Sequence, residues 1–155
     1  RATGAKVLVG AGVHDVGDLA DKRVLVAGIL PNHRVMPRVA ASVIMGGQGS
    51  VQTAIASGTP FVGLPYHGEQ ELNIAVAERL GMAIRMKPQD AKTPALTGAL
   101  RQVLDMPSYR ASAQLAAAQY EGVDGGAQAA DVILEWLRGR REHPQPAAGG
   151  VTSRP

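Results

Sequence analysis

The sequence predicts an α/β fold: a doubly wound parallel sheet with helices on both faces. Three observations carry that expectation. Short β-branched runs alternate with helical stretches through the first half of the chain. The first of these runs are apolar at successive positions, as in strands covered on both sides, rather than at alternate ones. A chain of 155 residues that is 45% hydrophobic also has enough apolar mass for one compact core.

Taken in order, residues 6–10 (KVLVG) and 23–27 (RVLVA) read as the first two strands, both buried, joined by a polar, glycine-containing connection over 14–22. After Pro31 a short helix through 35–39 is expected, its length limited by Pro37. Residues 41–45 (ASVIM) form the third strand, which stops at Gly46-Gly47-Gln48-Gly49. Residues 50–57 are helical and end at Gly58 and Pro60. Residues 61–64, fenced by Pro60 and Pro65, are the fourth strand. Over 69–80, Leu72, Ala75, Val76, Ala77 and Leu80 recur at helical spacing, and Gly81 ends that helix. Residues 82–86 (MAIRM) are the fifth strand, with Met36, Met82 and Met86 at core-like positions. Helices follow over 94–104, from Pro107 and Ser108 to about 121, and over 127–137, with Trp136 expected to cover the sheet. The domain is therefore placed at 1–138. Residues 139–155, rich in Arg, Pro, Gly and Ala without periodicity, read as a disordered tail.

Composition removes several function classes. The longest largely apolar runs fall well short of the roughly 20 residues a membrane helix needs, and no secretory leader is read at the start. The chain has no cysteine, hence no disulfide framework and no thiolate zinc site, and a cytoplasmic location is expected. The net charge of +3 belongs to the segment from Arg138 onward, where four Arg meet one Glu; the rest is neutral. A neutral body with 3% aromatics offers neither a phosphate-tracking stripe nor a stacking platform, so no nucleic-acid partner is expected. His14 with Asp15, Asp18 and Asp21 is too sparse in oxygen ligands for a hard cation, and no metal site is assigned. No Gly-x-Ser-x-Gly elbow is present, which argues against a serine hydrolase.

The chemistry concentrates at Met45-Gly46-Gly47-Gln48-Gly49-Ser50, a strand-to-helix junction. In a parallel sheet such junctions form the ligand crevice, because free backbone N–H groups and the helix dipole point there. Three glycines let a bulky anion approach the backbone, and Ser50 adds a hydroxyl. A diphosphate suits this turn; a tight turn that binds nothing is the other reading. The spacing matches neither a P-loop nor GxGxxG.

The string from Pro31 to Met86 resembles the donor-binding half of GT-B glycosyltransferases of the UDP-glycosyltransferase type, including bacterial enzymes that decorate macrolides. Four ordered elements carry the resemblance: Pro31-Asn32, the turn at 45–50, Ala56-Ser57-Gly58-Thr59-Pro60, and Glu69-Gln70. They stand where that family has Pro-Gln, His-Gly-Gly-x-Gly-Thr, Ala-x-Gly-x-Pro and Asp-Gln. The resemblance implies a Rossmann-like donor domain lacking its first strand. It implies a nucleoside-diphosphate sugar substrate, UDP- or dTDP-linked, with no further cofactor. Met45, Gly46, Gly47, Gln48, Gly49 and Ser50 would hold the diphosphate. Gln52 and Thr53 would face the ribose, Ile29, Pro31 and Asn32 the nucleobase, and His67, Glu69 and Gln70 the sugar. The general base would come from an N-terminal acceptor domain, so no catalytic residue is assigned in this chain.

Three positions depart from the family pattern. Met45 stands for a phosphate-contacting His and can neither donate a hydrogen bond nor carry charge. Thr53 stands for a ribose-gripping acid, and Ile29 for a stacking aromatic. The first strand should separate 6–10 from 41–45 in the order 3-2-1-4-5-6. Its absence predicts two open edges, to be closed by a partner segment, another copy in a homo-oligomer or swapped dimer, or a rearranged sheet. The function read here is the donor half of a hexosyltransferase acting on a small-molecule hydroxyl. A non-catalytic nucleotide-sugar-binding module and a sugar epimerase of the same fold are the alternatives.

Overall fold

The computed structural model describes residues 3–12 and 14–142. The chain forms two compact units, Arg1–Glu121 and Gly122–Pro155. In the first, β1 (Val7–Gly10) and β2 (Val24–Ala27) flank a 3₁₀ turn at Gly17–Leu19. A short α1 (Asn32–Val35) passes into a 3₁₀ turn, Met36–Arg38, that contains Pro37. Then come β3 (Ser42–Ile44), α2 (Gln48–Ala56), β4 (Phe61–Gly63), α3 (Gly68–Arg79) and β5 (Ala83–Arg85). A 3₁₀ turn, Pro88–Lys92, leads to α4 (Pro94–Asp105) and α5 (Pro107–Ala118).

The expected parallel α/β architecture is present, and its sheet is divided. β1 pairs only with β2 and the second sheet runs β3–β4–β5, all in parallel register. The division falls between β1 and β3, where the doubly wound order places its first strand. β1 and β3 each keep one edge without a strand partner among the described residues.

The expectation that the first two strands are buried is not met. Neither contains a buried residue, and Leu25 is 65% exposed. A continuous apolar run fits a strand for cover on both faces, but the cover must come from other elements. Here the strands pack mainly on each other and on the turn at 17–19.

The core lies around β4. Phe61 and Val62 are fully buried, with Ile74 of α3 and Met82 ahead of β5; Met36 is buried as well, while Met86 is half-buried. Alanines at 54, 77 and 113 have no exposed surface, and such small side chains let α2, α3 and α5 approach closely. Thr59, a fully buried polar residue, donates to the Met36 carbonyl at 2.7 Å and accepts from the Ser57 hydroxyl at 3.0 Å. Arg110 of α5 donates to the carbonyls of Gly58, Val39 and Ala40, fastening α5 to the segments entering β3 and leaving α2.

The second unit is α6, Gly125–Glu142. It extends four residues into the segment expected to be irregular; residues 143–155 of that tail lie outside the described residues. Trp136 is 57% exposed rather than buried as a cover.

Gly63 ends β4 against α3: a Cβ there would stand 2.6 Å from Ile74 Cδ1. Gly63→Ala is expected to destabilise the domain by about 1–3 kcal/mol through overpacking. In urea unfolding, combining it with Ile74→Ala should cost less than the two single changes added together, because the second removes the atoms the first collides with.

Candidate functional site

The site is built where β3 gives way to α2. Gly46 is buried with φ +90°, a left-handed conformation. A Cβ on it would lie 2.5 Å from Ile74 Cδ1 and 2.8 Å from the Gln70 carbonyl oxygen, so only glycine fits. Gly47 is the N-cap of α2, with φ −57° and ψ 144°, and no side chain caps the helix. The helix starts at Gln48, two residues earlier than expected, because extended Gly47 already turns the chain into it.

Ser50 and Val51 N–H groups bond the Gly47 carbonyl, at 3.0 and 3.1 Å. Among the described residues nothing accepts from the N–H groups of Gly47, Gln48 or Gly49. Three amides are thus presented together at the positive end of the α2 dipole, an arrangement suited to an anion. Around Gly47 and Gly49 the space is open: a Cβ at either meets nothing within 4 Å, and neither has a positive φ. The fold requires glycine at 46 and not at 47 or 49. Turn geometry therefore explains one of the three glycines; the other two face open space.

Across the crevice, β4 leads through Pro65, Tyr66 and the extended N-cap His67 into α3. Glu69 and Gln70 occupy its first turn. Gln70 Oε1 accepts from the Tyr66 N–H at 2.8 Å, which leaves the Gln70 side chain its NH₂ group as a donor. The Asn73 side-chain amide donates to the Gly46 carbonyl at 3.1 Å and to Glu69 Oε1 at 3.3 Å. The glycine turn and the Glu69-Gln70 pair, about 20 residues apart in the chain, are thereby brought into contact. Asn73 belongs to no motif read from the sequence; its only signal there is a spacing of four from Glu69, one helical turn.

The remaining predicted residues fall as follows. Met45 is 59% exposed at the mouth of the turn, and His67 is exposed. Gln52 is exposed on α2, whereas the Thr53 hydroxyl donates to the Gly49 carbonyl of its own helix at 2.7 Å, spending its proton there. Pro31 and Asn32 are exposed at the start of α1, which packs on α2. Ile29 is 91% exposed in the loop after β2 and makes no stacking wall. Two clefts, of about 490 and 610 Å³, lie elsewhere: one beside Gln102 and Tyr109, the other beside Tyr66 and Lys92. Neither is lined by the glycine turn, which is an open crevice. Among the described residues, no three His, Asp or Glu side chains gather as metal ligands, and no helix is long and apolar enough to cross a membrane.

Residues 7–122 match the family model described as the erythromycin biosynthesis protein CIII-like, C-terminal domain. The chain belongs to this family. A PGL/p-HBAD biosynthesis glycosyltransferase of Mycobacterium tuberculosis is 33% identical over 89 residues, covering 57% of this chain and 21% of that protein. The 4'-demethylrebeccamycin synthase of Lentzea aerocolonigenes is 32% identical over 110 residues, 71% of this chain and 26% of that protein. The chain thus spans about a fifth to a quarter of the length of these relatives. Among solved structures, glycosyltransferase VinC in complex with dTDP aligns with a TM-score of 0.76 at 22% identity, over 86% of this chain and 35% of that one. The Streptomyces sp. SF2575 glycosyltransferase SsfS6, complexed with thymidine diphosphate, aligns with a TM-score of 0.65 at 26% identity, over 84% of this chain and 33% of that one. The fold of the erythromycin CIII-like C-terminal domain here is the Rossmann-like one of GT-B glycosyltransferases.

The contrast between the glycines is directly measurable. Gly46→Ala should lower stability by about 1–3 kcal/mol, combining a strained φ with a collision, while Gly47→Ala should change the urea midpoint little.

Proposed function

We propose that this domain binds the nucleoside-diphosphate sugar of a glycosyltransferase that glycosylates a small-molecule hydroxyl. The observation that carries the reading is the open space over Gly47 and Gly49, directly above three unpartnered amides. Membership of a family whose relatives are named glycosyltransferases supplies the chemical class. The thymidine diphosphate complexed with SsfS6 makes a thymidine or uridine diphosphate the first donors to test.

In this reading the diphosphate sits on the amides of residues 47–49 with the Ser50 hydroxyl beside it. Met45 adds no charge, so affinity rests on the backbone and the helix dipole. Gln52 and Thr53 take the ribose contacts, the Thr53 oxygen as an acceptor only because its proton is already engaged. Ile29, Pro31 and Asn32 border the base. Glu69 accepts from sugar hydroxyls and the Gln70 NH₂ donates to them, with His67 at the rim. The acceptor oxygen attacks the anomeric carbon and loses its proton to a base in an acceptor domain. The bond from that carbon to the diphosphate oxygen breaks, and the amides stabilise the charge that collects on the departing diphosphate. A donor-binding domain spanning 1–138 in a cytoplasmic enzyme fits this assignment.

The test is a thermal-shift panel of thymidine, uridine, guanosine and adenosine diphosphates. At a hundredfold excess over Kd, the preferred ligand should add roughly 2.7 kcal/mol of stability. Gly47→Val should keep the unliganded melting temperature and abolish the shift, since its side chain would occupy the diphosphate's seat. An undiminished shift in that variant would place the ligand elsewhere.

A further inference from the structure

The geometry points to Asn73 as a positioning residue that sets the glycine turn and the Glu69 carboxylate relative to each other. This rests on the diphosphate reading above and extends it to a residue that contacts no ligand in that scheme. The Asn73 NH₂ group has two protons, and its nitrogen lies within hydrogen-bond distance of two acceptors: the Gly46 carbonyl at 3.1 Å and Glu69 Oε1 at 3.3 Å. The acceptors come from two different elements, and the side chain is half-buried between them.

The effect on the turn follows from peptide geometry. The Gly46–Gly47 peptide is planar and trans, so holding the Gly46 carbonyl toward α3 turns the Gly47 N–H the opposite way. The Gly46 conformation leaves that peptide plane little other support, because glycine has no side chain to hold it and φ +90° is one of several conformations open to glycine. Ile74 closes the space behind Gly46 but makes no directional bond; Asn73 supplies the direction. Its second proton holds Glu69, so one amide couples an anion-binding N–H to a carboxylate on the neighbouring helix.

The experiment follows ¹H–¹⁵N spectra of the whole chain titrated with thymidine diphosphate, comparing wild type, Asn73→Asp and Asn73→Leu at about pH 8 and about pH 4. Asp has the same shape, but as a carboxylate it has no proton for the Gly46 carbonyl and faces Glu69 with like charge. Once protonated it regains one donor. Relative to wild type at each pH, Asn73→Asp should bind about tenfold more weakly at the higher pH and regain part of that loss at the lower one, where about half of an ordinary aspartate is protonated, while Asn73→Leu stays weak at both. A merely structural role would not produce pH-dependent rescue confined to the Asp variant. Equal binding by all three proteins, with ligand-induced shifts at residues 47–49, overturns the role of Asn73 and leaves the diphosphate reading standing. Shifts confined to other parts of wild type sink both. If the variants do not fold, wild type alone decides. A slowly exchanging Asn73 side-chain amide with scalar coupling to the Gly46 carbonyl supports the assignment, and a freely exchanging, uncoupled amide refutes it.

Discussion

Ile74 lies so close to two backbone positions that a methyl group on Gly46 would stand 2.5 Å from its Cδ1, and one on Gly63 2.6 Å. This double close approach sets the geometry of the site. It seats α3 on the end of β4 and on the bend after β3 through the Ile74 side chain, with no side chain on the glycine side. The first turn of α3 is thereby held beside the N-terminus of α2. Two helix starts that follow different strands thus share one rigid reference, and the fully buried Ile74 ties that reference to the core around Phe61. Close packing makes the arrangement stiff, since interiors at crystal-like density do not yield gradually.

The hydrogen bonds around this contact divide the polar groups of the crevice by type. Gln70 gives its carbonyl to the Tyr66 N–H, and Thr53 gives its proton to the Gly49 carbonyl. Both side chains keep a group of defined polarity on the remaining side. α2, β3 and the turn between them carry no charged side chain, so the positive field at the turn comes from backbone dipoles, with the Glu69 carboxylate of α3 as its charged neighbour. Such dipoles are fixed by the fold and need no reorganisation when a ligand arrives.

Element order and the location of the crevice were legible in the chain because β-branched runs, proline fences and glycine stops are local signals. The five strands and the helices after β3 fall where those signals put them, with ends shifted by a few residues. Cover is not a local property, which is why Leu25 and its neighbours lie exposed despite an apolar run suited to burial. The candidate site was legible as a motif but not as a mechanism. Nothing in Gly46-Gly47-Gln48-Gly49 distinguishes the glycine forced by φ and Ile74 from the two that face open space. Asn73 was invisible for a related reason: its partner Gly46 lies 27 residues away, and a polar residue on a helix face ordinarily looks toward water.

The Arg110 fork joins α5 to the Val39 carbonyl 71 residues earlier in the chain. Adjacent strands β3 and β4 meet across a much shorter loop of about twenty residues, and loop-closure entropy makes the Arg110 contact about 1 kcal/mol costlier to form from an open chain. Assembly therefore favours the local strand–helix–strand units first, with α5 docking onto a preformed surface.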